Sequence, residues 1–487
     1  MSSLEPPSEV YYRQFDQIDG DFLSFGSQHP ENVAFKKELA RKAKSKSFNL
    51  TFLRKVVILR DETIDTKKAT PHELFSYLGL GDIESGTGNI IGYRELPASN
   101  IFSKSCVFYK GDIVFGRLRP YLNKVHLVKV DKAIGSTELY VVITDRNRID
   151  PEFLVRYLLS DLTLTQTKWI LTGSSYPRLA KDDFLDISVI VPNIESGVQE
   201  KIVKEVSKLE NEAMVSFDKA AILTKDAYEL VPQNLSINVP AKTDYDFYAV
   251  PIDQLRDRLD FNFNNKEYRE LSKEISKSPF AVKFGEILDE KKGLTNGVEI
   301  RKFVEEGSPY LRVSDVIHNK LNLEEVARVD AKLSDLTKNI KLEYDNLVIS
   351  RSGTLGIVLL VDEKFPVDEL ILSSHLIRVV LKDSIDGRRI DPRFVLYFLR
   401  SNVGQMQFNQ VSSGSSVPEV SQSLLSDMKI IIPDNKVQSN IVSRVDAKVN
   451  ETSKHEALAE QKWAESKRKF VDLLLNQDSV PIGEDYE

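Results

Sequence analysis

The chain has 487 residues, 41% hydrophobic and 29% charged, enough apolar material for two cores of ordinary domain size, on the order of 100–200 residues each. Its single cysteine, Cys106, excludes an intramolecular disulfide and a cysteine-rich zinc site and fits a reducing, cytoplasmic compartment. No apolar run approaches the roughly 18–20 residues that cross a bilayer, Met1 to Gln14 lacks a hydrophobic signal core, and a net charge of −7 weighs against a protein that simply coats nucleic acid, leaving DNA reading open only through segregated basic groups.

In chain order, the first feature is a basic stretch, Lys36, Lys37, Arg41, Lys42, Lys44 and Lys46, on one face of a helix that is either solvated or tracks DNA. Next comes Tyr77-Leu78-Gly79-Leu80-Gly81-Asp82-Ile83, and 233 positions later stands Tyr310-Leu311-Arg312-Val313-Ser314-Asp315-Val316. At the same spacing, with one residue of slippage, Asp112-Ile113-Val114-Phe115-Gly116-Arg117 meets Asp345-Asn346-Leu347-Val348-Ile349-Ser350-Arg351. The stretch beginning Asp150-Pro151-Glu152-Phe153 meets Asp391-Pro392-Arg393-Phe394 at a spacing of 241, so the second copy carries an eight-residue insertion in the surface loop around Lys382 to Arg389. Gly173-Ser174-Ser175-Tyr176-Pro177 and Gly414-Ser415-Ser416-Val417-Pro418 keep the spacing of 241, as do the runs Asp186 to Pro192 and Asp427 to Pro433. This period far exceeds the roughly 20–50 residues of solenoids, so each copy is a domain with its own core. Val125 to Val130, Leu139 to Thr144 and Ile187 to Val191 read as strands and Pro151 to Leu159 as a helix, which makes the domains mixed α and β.

A long amphipathic helix follows each copy. Val198, Ile202, Val206, Leu209, Ala213, Phe217, Ala221 and Tyr228 recur at steps of three and four, and Val437, Ile441, Val445, Val449, Trp463, Phe470 and Leu474 continue the second. Each runs some 35–40 residues, about 50–60 Å at 1.5 Å per residue. Two such helices bury their stripes most simply against each other as an antiparallel pair that acts as a ruler; the alternative is that each folds back separately on its own domain. The expected division is a first domain over 1–197, a helix over 198–235, a second domain over 236–435, a helix over 436–477 and a polar tail over 478–487.

Polar loop tips supply the candidate contacts. Arg117, Arg119, Tyr121 and Lys124 follow a strand and bear donors suited to phosphate oxygens or a guanine edge; Arg351, Ser352 and Thr354 stand in the equivalent place. Ser174, Ser175, Tyr176 and Arg178, and in the second copy Ser413, Ser415 and Ser416, sit in Gly- and Ser-containing turns that suit close approach to phosphates. Arg312 and Ser314 flank Asp315, which with Asp82 is either a turn cap or a contact to a base such as cytosine. Taken singly, the arginine turn is more often a solvated charge or a partner to a nearby carboxylate, and each Ser-containing turn more often a plain loop; it is their recurrence that favours a contact. There is no Walker loop, no Gly-x-Gly-x-x-Gly and no Gly-x-Ser-x-Gly, and the six histidines lack ligand spacing, so neither catalytic residues nor a metal site is expected.

These residues together resemble the specificity subunits of type I restriction-modification systems. The resemblance covers nearly the whole chain and rests on Tyr77 to Ile83, on Asp345-Asn346-Leu347-Val348-Ile349-Ser350-Arg351-Ser352-Gly353-Thr354-Leu355-Gly356, on the Gly-Ser-Ser-x-Pro turns, and on Pro433 followed by Gln438-Ser439-Asn440-Ile441-Val442. It implies an α+β chain with two similar target-recognition domains separated by two long antiparallel helices. Each domain would read one half of a split double-stranded DNA target. The subunit itself would be non-catalytic and would dock two methyltransferase subunits through positions such as Gln199, Ile202, Gln438 and Ile441. It would join restriction (translocase) subunits, with S-adenosylmethionine belonging to the methyltransferase and ATP and Mg to the restriction subunit. The sequence departs from the pattern at Gly116-Arg117-Leu118-Arg119-Pro120, which replaces the Ser-Arg-x-Gly-Thr form of the second copy, and in the long polar lead from Met1 to about Ser47. A duplicated protein-binding scaffold without DNA readout is the reading from a different class, and an enzyme of unfamiliar type is a third.

Overall fold

A computed structural model describes residues 29–90, 92–168, 170–172, 177–241, 250, 263–304, 306–317, 320–321, 323, 326–330, 340–412 and 418–476. By contacts the chain divides into two compact units, one of residues up to Phe217 together with those from Ala457 onward, the other Asp218–Glu456. The helices are therefore not separate from the domains, as the sequence division has them: each unit is one domain plus half of each long helix.

The duplication is visible strand by strand. In the first unit a four-stranded antiparallel sheet runs in the order Val57–Leu59, Leu139–Thr144, Ile113–Gly116, Val125–Leu127, and in the second the order is Leu294–Asn296, Leu376–Val379, Leu347–Ser350, Val358–Leu360. A two-stranded ladder accompanies each, Asn49–Phe52 with Ser188–Val191 and Ala281–Lys283 with Lys429–Ile431. Each unit also has a parallel pair within a further sheet, Tyr77 beside Ile134 and Tyr310 beside Ile371. The eight-residue insertion is a β-hairpin, Ser384–Ile385 with Arg388–Arg389. Its Asp386-Gly387 turn has φ of 47° and 76° at the two central residues, the backbone that an Asp-Gly pair supplies most readily.

The helices that cover these sheets start for the same local reason. Asp150 and Asp391 are N-caps whose carboxylates accept from Phe153 N–H and from Arg393 and Phe394 N–H, and Pro151 and Pro392 fill the first helical turn, where no N–H partner is needed. Pro151–Leu159 and Pro392–Arg400 then bury Phe153, Leu154, Tyr157 and Leu158, and Phe394, Val395, Phe398 and Leu399. A buried glutamine clamps the last strand in each copy: Gln166 accepts from Ser188 N–H at 2.8 Å and donates to Ser188 carbonyl at 3.0 Å, and Gln407 does the same to Lys429 at 2.7 and 2.9 Å.

The long helices are Val198–Asn234 and Asn435–Leu475. In the first unit they run antiparallel, with Glu205 meeting Lys469 at 3.1 Å and Glu212 meeting Lys462 at 2.9 Å. There Ile202, Val206, Phe470, Leu473 and Leu474 enter the domain core, and Phe470 lies 5.3 Å from Phe153 between ring centres. Arg156, with a nearly buried side chain, joins the covering helix to the first long helix through Glu210 at 2.6 Å and Ser207 at 2.9 Å. In the second unit the helices are again antiparallel: Arg444 donates to Asn234 at 2.7 Å and Lys448 faces Asp226 at 3.8 Å. Ala227, Leu230, Val231, Ile441, Val442 and Val445 join the second core, and Tyr397 and Arg393 both bind Asp446.

Candidate nucleic-acid interface

Both site loops begin where a buried strand ends. Ile113–Gly116 and Leu347–Ser350 are buried throughout, so Arg117 and Arg351 are the first side chains along each strand to reach solvent. The backbone around them is the same in both units. Arg117 N–H donates to Glu138 carbonyl at 2.9 Å, Leu179 N–H to Arg117 carbonyl at 2.9 Å and Arg119 N–H to Pro177 carbonyl at 2.7 Å. The counterparts are Arg351 to His375 at 2.9 Å, Val420 to Arg351 at 2.8 Å and Gly353 to Pro418 at 3.1 Å. Isolated bridges join Leu118 to Arg178 and Ser352 to Glu419 at the same point. Each domain thus brings three segments together: the strand end, the start of its neighbour, and the chain that follows the Gly-Ser-Ser-x-Pro sequence.

On this shared frame the first domain sets Glu138 between two guanidinium groups. Arg178 holds it in a fork, with Nη2 at 2.9 Å and Nε at 3.2 Å, and Arg117 Nε stands 3.5 Å away with its guanidinium 5.5 Å from the Tyr140 ring centre. The second domain pairs Arg351 with Glu419, and Ser352 hydroxyl with His375 Nδ1. Glu138, His375 and Glu419 were absent from the sequence candidates. For Glu419 the signal lay in the spacing of 241 that aligns it with Arg178, an exchange of charge that a search for similar residues passes over; Glu138 and His375 keep neither repeat spacing.

The remaining candidates fall in different places. Arg119 and Asn123 have φ of 49°, where the second copy has Gly353 and Gly356 at 80° and 77°. The departure from the Ser-Arg-x-Gly-Thr form therefore keeps a left-handed backbone at both corners, at a cost of roughly 1–2 kcal/mol for a side chain such as that of arginine. Tyr121 and Thr354 are exposed. Lys124 turns inward and donates to Leu80 carbonyl at 2.9 Å, and burial holds its ammonium below the usual lysine range. Ser352 is buried against His375. Asp82 and Asp315 cap short turns, accepting from Gly79 N–H at 2.7 Å and Arg312 N–H at 2.9 Å. Each also binds an arginine, Arg94 at 2.9 Å and Arg312 at 2.8 Å, so Arg312 and Ser314, whose hydroxyl lies 3.3 Å from Asp315, are tied to the cap. Ser174, Ser175, Tyr176, Ser413, Ser415 and Ser416 lie outside the described residues. The basic helix is Pro30–Ser45, with Lys37, Arg41 and Lys44 exposed and Arg41 paired to Glu38 at 2.6 Å.

The profile of the type I restriction modification DNA specificity domain matches residues 81–216 and 281–461, well over half of the chain and once in each copy. The chain belongs to this family. A stretch of 134 residues is 33% identical to the specificity subunit of the type I restriction enzyme EcoDI of Escherichia coli, covering 27% of this chain and 29% of that relative's length. Among solved structures, the HsdS subunit from Thermoanaerobacter tengcongensis is 19% identical, with coverage of 88% of this chain and 97% of that one and a TM-score of 0.35. The S subunit of the type I system of M. genitalium is 13% identical over 89% and 97% of the two chains, also at 0.35.

Specificity-domain chains are expected to dock partners, and the four residues first assigned to that role need correction. Gln199 and Gln438 are 1% exposed, and Ile202 and Ile441 are 0% exposed. The Gln199 amide accepts from Asp150 N–H at 2.9 Å and donates to the carbonyls of Arg148 at 3.0 Å and Pro192 at 2.7 Å. Gln438 repeats this with Asp391 at 3.0 Å, Arg389 at 2.8 Å and Pro433 at 2.7 Å. All donors and acceptors used here face inward, so these glutamines recur because they fasten each domain to its own helix. Among the described residues no helix is long and apolar enough to cross a membrane, and no group of three or more His, Cys, Asp or Glu side chains could hold a metal ion.

Proposed function

We propose that this specificity-family chain is the DNA-reading, non-catalytic subunit of a type I restriction-modification complex, in which each domain reads one half of a bipartite duplex target. The observation that carries this reading is the recurrence, in two separate units, of one arginine-bearing frame with the same backbone hydrogen bonds. Two readers on one chain select two short sequences at a fixed separation, as dimeric readers select spaced half-sites. The long helices set that separation, and their outward faces dock two methyltransferase subunits. S-adenosylmethionine belongs to those subunits, and ATP and Mg to the restriction subunits that complete the assembly.

The loops bearing Arg117 and Arg178 in the first domain and Arg351 and Glu419 in the second are the surfaces that meet DNA in this reading, with Tyr121 and Thr354 on the same exposed loops. A chain of net charge −7 relies on its partners for part of the phosphate neutralisation, so binding by the isolated subunit is weak and falls steeply with salt. Co-expression with the methyltransferase, selection of bound duplexes from a randomised pool and sequencing test the proposal. Two short motifs at one spacing are expected. A stable protein complex that enriches no motif would favour the scaffold reading, which the acidic composition also fits.

A further inference from the structure

Because the two frames share their backbone hydrogen bonds, corresponding side chains can be compared one for one. Arginine is common to both, at 117 and 351. Position 138 is glutamate and its counterpart 375 histidine; position 178 is arginine and its counterpart 419 glutamate. In the first domain the carboxylate comes from the neighbouring strand and the outer side chain is a cation. In the second the carboxylate has moved to the outer position, and histidine takes its former place. Arg178 and Glu419 immediately follow the prolines of the repeated Gly-Ser-Ser-x-Pro sequences and are 40% and 47% exposed.

Resting on the DNA-reading proposal above, we infer that positions 178 and 419 are the base-selecting pair of this chain. Arg178 presents N–H donors to an edge that only accepts, guanine O6 and N7. Glu419 presents lone pairs to a base that offers an exocyclic amino group, cytosine N4 or adenine N6. Glu138 and Arg351 are positioning residues. The fork of Arg178 onto Glu138 fixes the plane of the guanidinium, and a bond from Arg351 holds one oxygen of the Glu419 carboxylate. A carboxylate has about four lone-pair directions, so accepting from Arg351 and from a base amino group are compatible. The exchange of sign gives the two half-sites opposite chemical demands without altering the fold that carries them.

The test uses the complex with its methyltransferase and compares selected duplexes for the wild type, Glu419→Ala and the double variant His375→Glu/Glu419→Arg, which transplants the first domain's trio into the second. Wild type should show cytosine or adenine at one position of the second half-site, and which of the two appears identifies the base. Glu419→Ala should reduce preference at that one position from roughly tenfold or more to under about threefold. The double variant should select guanine there, keeping the first half-site and the spacing. An unchanged second half-site in either variant overturns the assignment. Retention of the other positions of the second half-site by the same sample shows that the mutated domain is folded. Failure of the wild type to enrich any motif would instead remove the DNA-reading proposal, and this inference with it.

Discussion

Arg351 joins three segments: its N–H is held by His375, its carbonyl by Val420 and its side chain by Glu419. Replacing it with alanine leaves the frame's backbone bonds in place while removing the guanidinium. Arg351→Ala is therefore expected to release the Glu419 carboxylate that it holds and to weaken binding at the half-site read by the second domain by about tenfold, toward the low end of what one good base contact is worth, and to leave the other half-site unchanged. Competition binding with duplexes mutated in one half-site at a time checks this, and equal losses at both would sink it. Arg351 was legible because it recurs; Glu138 and Glu419 were not, because an ion pair can be rebuilt from a different position when three segments meet at one point. The same substitution of position occurs at the caps, where Arg94 serves Asp82 from another strand while Arg312 serves Asp315 from its own turn. Sequence comparison sees Gly79 against Arg312 and no relation between them. The structure shows one carboxylate satisfied twice.

Among the elements, those with a strong local cause were readable in advance. Leu139–Thr144 and Pro151–Leu159 fall where the sequence places them, the first by its β-branched run and the second by its Asp-Pro cap. The insertion read as a surface loop is a hairpin, whose Asp386-Gly387 pair was the available signal. The glutamines Gln199 and Gln438 recur for a structural reason that recurrence alone could not distinguish from docking. Substituting either with alanine strands one buried carbonyl, that of Pro192 or Pro433, together with a part-buried N–H and a second carbonyl, and about 1–3 kcal/mol for the buried group is the expected loss. Gln199→Ala and Gln438→Ala should each lower the denaturant midpoint, with Gln199→Ala acting on the first unit and Gln438→Ala on the second; hydrogen exchange resolved by segment distinguishes them. Deleting seven residues of the first long helix after Glu212 and seven of the second between Lys448 and Lys462 removes about 10.5 Å of helix. Under the proposed ruler role the selected spacer shortens by about three base pairs, at ~3.4 Å each, with both motifs retained. An unchanged spacer would dismiss that role.

For the whole molecule, repeat and compact unit are different objects. The repeat in sequence is a domain followed by a helix, whereas the compact unit takes half of each long helix. Periodicity located the helices but not this partition, since which half of a stripe packs on which core depends on long-range contacts such as Phe470 against Phe153. The partition has a consequence for biosynthesis. The second unit, Asp218–Glu456, is one unbroken stretch of chain, but the first is closed only by residues from Ala457 onward. During synthesis the first unit, begun before the second, waits for a segment made after the second is complete, with the sites for Phe470, Leu473 and Leu474 open in its core until then. A nascent or prematurely terminated chain ending at Glu456 should therefore carry a finished second unit and an unfinished first one, the reverse of the usual order in which N-terminal domains mature before those behind them. Pulse proteolysis of the chain truncated after Glu456 should digest the first domain and spare the second. Supplying the missing helical segment as a separate peptide should restore its protection.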